Sequence, residues 1–227
     1  MVLIRSPRPL LLSFLLLFWT TAALAAPIPV PAPPQINATS YVLMDFDSGR
    51  LLASSNPDQR VEPASITKVM TAYVAFRQLA DGDLKLDEQV TISEKAWRSE
   101  GSRTFLKVGS QIDVETLIKG MIVQSGNDAS IALAEHIAGA EESFAGLMNQ
   151  YAQQIGMRNS HFMNATGLPD PNHYTTAHDI ALLAQAMIRD FPEQYRWYSI
   201  RSFLFNGIEQ SNRNRLLWRD ASVDGLK

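Results

Sequence analysis

The 227-residue sequence contains no cysteine, so neither disulfide bonds nor zinc sites built from thiolates can form. Its basic residues are scattered and the formal charge is −3, which argues against the dense positive surface that binds a phosphate backbone. A hydrophobic fraction of 46% is sufficient for a substantial core in a chain of this length. We therefore expect a globular protein that is stabilised by its core and has no nucleic-acid partner.

Two common hydrolase motifs are also absent. The histidines do not form the His-Glu-Xaa-Xaa-His pattern of zinc peptidases, and no Gly-Xaa-Ser-Xaa-Gly elbow occurs. Histidines at such irregular spacing are more often surface residues than metal ligands; they are His136, His161, His173 and His178. A metal hydrolase is therefore a weak alternative, and we expect no metal and no cofactor.

The N-terminal segment is typical of an export signal. Arg5 and Arg8 form its positive region, residues 10–19 are an apolar run, and Ala23-Leu24-Ala25 matches a small-residue cleavage site. The apolar run is shorter than a helix that spans a bilayer. We predict a signal peptide over residues 1–25 and an exported, periplasmic protein, with an uncleaved anchor as the alternative.

A proline-rich spacer over residues 26–36 is predicted to be extended, and it leads into one larger domain at residues 37–227. Strand-forming residues on both sides of Asp47-Ser48-Gly49 predict a hairpin. Strand candidates recur at Ser202–Phe205 and Leu216–Trp218. Strands at both ends of the domain, with helices between them, predict an α+β fold or α/β sandwich whose sheet takes strands from both ends.

The middle of the domain is dominated by apolar residues at helical spacing. The predicted helices run from Ser65, on the first turn, to about Asp81, on either side of Ser125-Gly126-Asn127, over Glu142–Ile155, and after a capping box formed by Thr176 and Asp179. The helix that precedes this tripeptide begins at Asp113, a favourable N-cap. Helices are therefore expected to build most of the core.

The first of these helices carries a serine and a lysine one turn apart. Residues three apart on a helix have Cβ atoms about 5–6 Å from each other, so Lys68 can reach the Ser65 hydroxyl. A serine becomes an effective nucleophile when a base takes its proton, and lysine is such a base only when burial or a nearby cation lowers its pKa. Ser65 and Lys68 are therefore candidates for nucleophile and base, although an N-cap serine followed by a solvated lysine gives the same pattern.

Further polar features lie later in the chain. Ser125-Gly126-Asn127 places a hydroxyl and an amide between two apolar helices, where they either act as a helix cap or face a cleft. Residues 159–175 form a long loop rich in Asn, Gly, Pro and His, and loops of this length are often functional. The sequence ends with Lys227.

The order of Ser65-Xaa-Xaa-Lys68, Ser125-Gly126-Asn127 and a late lysine resembles the active-site motifs of penicillin-recognising serine enzymes. Within that group the chain is most similar to low-molecular-mass penicillin-binding proteins that act as D-alanyl-D-alanine carboxypeptidases, which usually carry Ser-Gly-Asn as their second motif. The resemblance extends over Tyr41–Asp45, Pro63–Thr71, Phe162–Pro169 and Asn212–Leu226. It implies the fold shared by β-lactamases and DD-peptidases, an antiparallel sheet flanked by helices.

The resemblance also implies a role for each residue. Ser65 would attack the carbonyl between the two terminal D-alanines of a peptidoglycan stem peptide and form an acyl-enzyme, with Lys68 as general base. Ser125 would relay a proton to the leaving amine, while Asn127 binds the substrate amide and Lys227 attracts its carboxylate. β-Lactams would be covalent inhibitors, and the activity would serve peptidoglycan maturation and cell shape.

The sequence departs from the family pattern at its end. The third family motif is Lys-Thr-Gly, and the sequence stops at its lysine, Lys227. We therefore expect a catalytic domain truncated at its C-terminal end, which lacks strands of the sheet, folds poorly and has little activity. A longer parent is expected to be active, and to attach to the outer face of the inner membrane through the missing C-terminal segment.

Two other functions stay open. A β-lactamase shares the acylating residues, but the common class adds a Glu-Xaa-Xaa-Leu-Asn loop that this sequence lacks. A non-catalytic peptidoglycan-binding protein would recognise wall peptides without cleaving them. The incomplete third motif favours that alternative for this chain, whereas Ser65 and Lys68 argue against it.

Arg213 is a weaker site candidate, because an arginine in a polar run is more often solvated.

Overall fold

A computed structural model of the protein describes residues 32, 33 and 35–227. The predicted signal peptide and most of the proline-rich spacer lie outside these residues. Residues 36–227 cluster into one unit in which helices alternate with short pairs of antiparallel strands. None of the described helices is both long and apolar enough to cross a membrane.

Strands of the described residues pair as three two-stranded antiparallel sheets, β1–β2, β3–β4 and β5–β6. Their bounds are β1 Tyr41–Met44, β2 Leu51–Ser55, β3 Gln89–Thr91, β4 Gln111–Asp113, β5 Ser202–Phe205 and β6 Ile208–Ser211. The α-helices are α1 Thr67–Asp81, α2 Glu94–Trp97, α3 Val114–Gln124, α4 Asn127–Ala138, α5 Glu141–Ile155, α6 Ala177–Asp190 and α7 Pro192–Tyr195. Helices with antiparallel strands confirm the predicted α+β class.

The sheet differs from the prediction in one respect. Both ends of the chain supply strands, but the described strands do not join into one sheet, because β1 packs on α6 whereas β5 and β6 pack on α3. The strand predicted at Leu216–Trp218 is wrong. Arg215–Trp218 forms a 3-10 helix, and the Asn214 side chain caps it by accepting a hydrogen bond from the Leu216 N–H at 3.1 Å.

Helix α1 is the centre of the core. Its first ten residues are all buried, and it packs against α3, α4, α5 and α6. A helix that is surrounded on all sides in this way is apolar over most of its surface, as Val69, Met70 and Phe76 illustrate. The helix ends at Gly82, whose left-handed φ of 83° closes the last turn. The same burial carries Lys68 into the interior.

Helix α6 shows half of the predicted capping box. Thr176 Oγ1 accepts a hydrogen bond from the Asp179 N–H at 3.1 Å, as expected of an N-cap. The Asp179 carboxylate does not return the bond to Thr176. It accepts instead from the Asn159 N–H at 2.8 Å and from the Ser160 hydroxyl at 2.7 Å, and so fastens the start of the 159–175 loop to α6.

Candidate active site

Ser65 lies in a 3-10 turn, Ala64–Ile66, immediately before α1. The turn is strained, because Ala64 has a left-handed φ of 46°. Such strain costs on the order of 1–3 kcal/mol and is concentrated at functional sites. Ser65 is half-buried, and the positive end of the α1 dipole makes this end of the helix favourable for negative charge.

Lys68 lies one turn later and is almost completely enclosed, with 2% of its surface exposed. Its Nζ is 3.3 Å from Ser65 Oγ and donates a 2.6 Å hydrogen bond to the Thr166 carbonyl. Burial lowers the pKa of Lys68 to about 7; Arg213 contributes to the lowering and Asp128 opposes it. A substantial fraction of the Lys68 amines is therefore neutral at neutral pH.

The loop that supplies the Thr166 carbonyl is held against α1 by hydrogen bonds. Thr71 Oγ1 donates to the Ala165 carbonyl at 2.7 Å, one residue before Thr166. Asn164 Oδ1 accepts from the N–H groups of Thr166 at 3.1 Å and Gly167 at 2.7 Å. The predicted functional loop is thus an ordered wall of the site, and it fixes the acceptor for Lys68.

Ser125 ends α3 in a left-handed conformation with φ 63°, and α4 starts two residues later at Asn127. The predicted break between two helices is therefore confirmed. Ser125 Oγ is buried and has no hydrogen-bond partner among residues 35–227. A buried hydroxyl without a partner is unusual, and it is typical of a group kept available for a ligand or reaction.

Asn127 is tied to the segment before α3. Its backbone N–H donates to the Ser102 carbonyl at 2.7 Å, and its side-chain Nδ2 donates to the Glu100 carbonyl at 2.6 Å. One N–H of the side-chain amide and its carbonyl oxygen are left for other partners. The predicted contact between Asn127 and a substrate amide stays a prediction.

Lys227 reaches the C-terminal end of α3. Its Nζ donates to the carbonyls of Met121 at 3.1 Å and Ile122 at 3.2 Å, where the helix dipole favours a cation. Burial lowers the pKa of Lys227 well below its ordinary value, and the charges of Lys68 and Arg213 lower it further. Lys227 therefore interacts electrostatically with both Lys68 and Arg213.

Three residues at the site were not identified from the sequence. The Thr166 carbonyl gave no signal, because any residue supplies one. Asp128 follows the Ser-Gly-Asn motif and is buried, and its charge acts on Lys68. His173, considered above as a metal ligand, is buried between the Thr67 hydroxyl, at 2.8 Å, and the Met163 N–H, at 3.1 Å. Within the described residues, no group of three potential ligands is placed to hold a metal ion.

Two cavities flank these residues. One, of about 620 Å³, lies between β1 and α6 and reaches Pro63 and Ile66 beside Ser65. The other, of about 420 Å³, lies at the end of α3 and is lined by Phe105, Gln124 and Arg213 among others. Arg213 therefore borders a cavity next to the residue that precedes Ser125.

Comparison with other proteins agrees with this geometry. The family model described as D-alanyl-D-alanine carboxypeptidase matches residues 28–227. The D-alanyl-D-alanine carboxypeptidase DacA of Haemophilus influenzae is 49% identical over 199 residues, which are 86% of this chain and 51% of the relative. DacC of Escherichia coli is 47% identical over 222 residues, which are 95% of this chain and 55% of the relative. The chain thus spans about half the length of these relatives.

A solved structure shows the same fold. Penicillin-binding protein 5 of Haemophilus influenzae superimposes with a TM-score of 0.85 at 48% identity, over 87% of this chain and 59% of that chain. The family match covers the Ser65 turn, the Ser125 break and Lys227 in one continuous stretch. On these matches, the chain belongs to the D-alanyl-D-alanine carboxypeptidase family of serine peptidases, peptidase family S11.

Proposed function

We propose that the protein is a serine-type D-Ala-D-Ala carboxypeptidase, which removes the terminal D-alanine from peptidoglycan stem peptides through an acyl-enzyme on Ser65. The observation that carries this proposal is the Lys68 Nζ, which lies 3.3 Å from Ser65 Oγ and has a pKa of about 7. General bases are most effective when their pKa is near the operating pH. Family membership supports the substrate class, because the matched relatives are named for this activity.

The reaction proceeds in two stages. Neutral Lys68 takes the proton of the Ser65 hydroxyl while Oγ bonds to the carbonyl carbon between the two D-alanines. The Ser65 N–H and the start of α1 stabilise the resulting oxyanion. A proton passes through Ser125 to the amine of the leaving D-alanine as the C–N bond breaks. Water then attacks the ester, with Lys68 again as base, and releases the shortened peptide.

The remaining residues bind and orient the substrate in this proposal. Arg213, together with Lys227 in its protonated form, attracts the terminal carboxylate of the peptide, and Asn127 accepts from or donates to its backbone amide. The Arg213 charge also lowers the pKa of Lys68, because a nearby cation disfavours a second one. Binding and base activation therefore both depend on Arg213.

Although the incomplete third motif predicts a slow reaction for the 227-residue chain, we predict that incubation with penicillin adds the mass of one penicillin to the protein, and that the Ser65→Ala variant gains none. Acylation requires the Ser65 oxygen, and the product is an ester that water releases slowly. Intact-mass spectrometry measures the adduct on the 227-residue chain and on any natural form that continues beyond Lys227. Ser222→Ala, which changes an exposed serine, is the matched control and keeps the adduct.

The outcomes of that experiment separate the alternatives. An adduct that is retained in Ser65→Ala refutes the assigned nucleophile. An adduct that forms and disappears within seconds favours a β-lactamase, and rapid consumption of penicillin supports the same conclusion. No adduct on either form favours a peptidoglycan-binding protein without catalysis.

We predict that Arg213→Gln moves the acid limb of the acylation rate to higher pH. The Arg213 charge lowers the pKa of Lys68, so its removal raises that pKa and leaves less neutral amine at a given pH. Below the pKa of the base, the reactive fraction falls about tenfold per pH unit, so the loss is expected to be a few-fold larger at pH 6 than at pH 9, where only the weaker attraction of the substrate carboxylate remains. Stopped-flow acylation by a chromogenic β-lactam measures both rates.

Arg215→Gln is the control for this change, because Arg215 lines the same cavity but is not among the charges that shift Lys68. An equal displacement of the acid limb in both variants, or none in Arg213→Gln, contradicts the prediction.

We also propose that the protein is exported to the periplasm and cleaved after Ala25. The positive region, the apolar run and the Ala23-Leu24-Ala25 site support this, as does a substrate that lies outside the cytoplasm. Mass spectrometry of protein recovered from the periplasm is expected to give a chain that begins at Ala26. Recovery of a chain that still carries Met1 would refute the cleavage.

A further inference from the structure

Residues 99–106, here called the Thr104 segment, cover the Ser-Gly-Asn motif without forming regular secondary structure. Two of their carbonyls accept from Asn127, Ser102 at 2.7 Å and Glu100 at 2.6 Å. Contact with the motif is close: a Cβ on Gly126 would lie 2.2 Å from Thr104 Oγ1. The position of the Thr104 segment therefore limits the positions that Ser125 and Asn127 can adopt.

Asp128 holds this segment. Its Oδ1 accepts from the Thr104 N–H at 2.8 Å and its Oδ2 accepts from the Leu106 N–H at 3.1 Å. The carboxylate is 1% exposed, and within residues 35–227 it forms no ion pair. A buried carboxylate without a cation is strongly unfavourable unless it is well hydrogen-bonded, which here requires the two amides of the segment and the start of α4.

The charge of Asp128 does not help the base. It raises the pKa of Lys68 and so favours the protonated amine, which cannot accept the proton of Ser65. The benefit of Asp128 to the reaction is therefore geometric. Its hydrogen bonds with the Thr104 and Leu106 amides connect the Thr104 segment to the start of α4. The segment and α4 thereby enclose Ser125-Gly126-Asn127.

Given the proposed acylation of Ser65, we infer that Asp128 is a positioning residue, whose buried carboxylate holds the Thr104 segment against Ser125 and Asn127 in the geometry that acylation requires. Gln210 supports the segment from the opposite side, because its Nε2 donates to the Thr104 carbonyl at 3.2 Å. The two residues make different bonds to one residue of the segment. The hydrogen bonds to the Asp128 carboxylate involve a charged group, whereas the one from Gln210 is between neutral groups.

Because Asp128 and Gln210 hold the segment by different hydrogen bonds, substitutions at the two residues are expected to have different effects. Asp128→Asn removes the charge and turns one acceptor into a donor, so the plateau rate of penicillin acylation is expected to fall at least tenfold. Its acid limb is expected to move to lower pH. Two charges shift the pKa of Lys68, and Arg213 lowers it whereas Asp128 raises it. Gln210→Met is expected to lower the plateau several-fold without moving the limb.

A role in stability alone would not give this pattern. Asp113→Asn is the matched control: Asp113 caps α3 by accepting from the Thr116 N–H at 2.8 Å, and its replacement is expected to leave the plateau within twofold. In addition, the losses in Asp128→Asn and Asn127→Ala are expected to be non-additive, because both variants disturb the same contact. Hydrogen exchange over residues 99–106 should rise in Asp128→Asn while the rest of the chain stays protected.

Several outcomes would overturn the inference. A folded Asp128→Asn protein with a plateau rate within twofold of the unmodified protein would do so, as would strictly additive losses with Asn127→Ala. If Asp128→Asn does not fold, an unchanged plateau in Gln210→Met has the same effect. Acylation of the unmodified protein is the reference: its absence refutes the proposed function itself, and the inference with it, whereas normal acylation with undisturbed variants refutes the inference alone.

Discussion

Replacement of Lys68 by methionine is expected to abolish acylation by penicillin and, at the same time, to stabilise the folded protein. Without an amine 3.3 Å from Ser65 Oγ, no group in the described site takes the serine proton, and a loss of at least a thousandfold in the acylation rate is expected. Methionine has nearly the same length and shape, and it needs no solvation. The catalytic amine is therefore a liability for folding.

The expected gain in stability follows from the lowered pKa of Lys68. The pKa of Lys68 falls from 10.5 to about 7 on folding, and each unit corresponds to about 1.4 kcal/mol, so burial of this amine costs on the order of 4 kcal/mol at pH 7. Methionine removes that cost but leaves the Thr166 carbonyl without its 2.6 Å donor, which costs roughly 1–3 kcal/mol. A net gain of about 1–3 kcal/mol in the free energy of unfolding is expected at neutral pH.

The sign of the pH dependence gives a second check. Between pH 7 and 10.5 the unfolded chain binds a proton at Lys68 that the folded protein does not, so the unmodified protein gains stability as the pH rises through that range. The advantage of Lys68→Met is therefore largest below pH 7 and shrinks toward pH 10. Urea unfolding at pH 6, 7.5 and 9 measures the difference.

Lys68→Arg and Lys107→Met are the controls. Arginine keeps a permanent charge and cannot act as a base, so it should lose acylation without gaining stability. Lys107 is exposed, and its replacement should change neither quantity. A Lys68→Met protein that is less stable than the unmodified one at pH 6 would show that Lys68 is not held near neutrality in the folded state.

Local patterns predicted much of this fold. The helical spacing of apolar residues located α1, α3, α4 and α5 to within a few residues, because each pattern depends on neighbours in sequence. The proximity of Ser65 and Lys68 was predictable for the same reason. Strands β3 and β4 were not, because three residues each carry too little pattern. The apolar run Leu216–Trp218 was misassigned, because the capping by Asn214 outweighs strand propensity there.

The environment of the site could not be predicted from local patterns. The Thr166 carbonyl lies 98 residues from Lys68 in sequence, and Asp128 contacts residues more than 20 positions earlier. Such contacts follow from the packing of α1, α3 and α4, which periodicity alone does not give. The lowered pKa of Lys68 likewise results from burial. From the sequence we could say only that catalysis by Lys68 requires a lowered pKa, and not that the pKa is lowered.

Replacement of Gly167 by alanine is expected to damage both stability and acylation severely. Gly167 has a left-handed φ of 83°, and a Cβ there would lie 1.8 Å from the Ala64 carbonyl oxygen and 2.8 Å from Thr67 Oγ1. The clash is with backbone on the turn that carries Ser65, so a side-chain rotation cannot relieve it. We expect a loss of at least about 3 kcal/mol in the free energy of unfolding, as for other severe steric conflicts in a core.

Gly82→Ala separates the clash from the cost of the left-handed conformation. Gly82 has the same φ of 83°, and a Cβ there meets nothing within 4 Å, so its replacement is expected to cost only about 1 kcal/mol and to leave acylation unchanged. Urea unfolding and the rate of penicillin acylation measure both variants. In Gly167→Ala, whatever protein still folds should acylate at least a hundredfold more slowly.

That loss is expected because the clash acts between the two partners of Lys68. Relief of the contact moves the Gly167 loop away from the Ala64 turn, and this separates the Thr166 carbonyl from the Ser65 hydroxyl. Lys68 can then follow one partner but not both. Equal stability and activity of Gly167→Ala and Gly82→Ala would mean that the loop moves freely, and that the Thr166 carbonyl does not fix the position of the Lys68 amine.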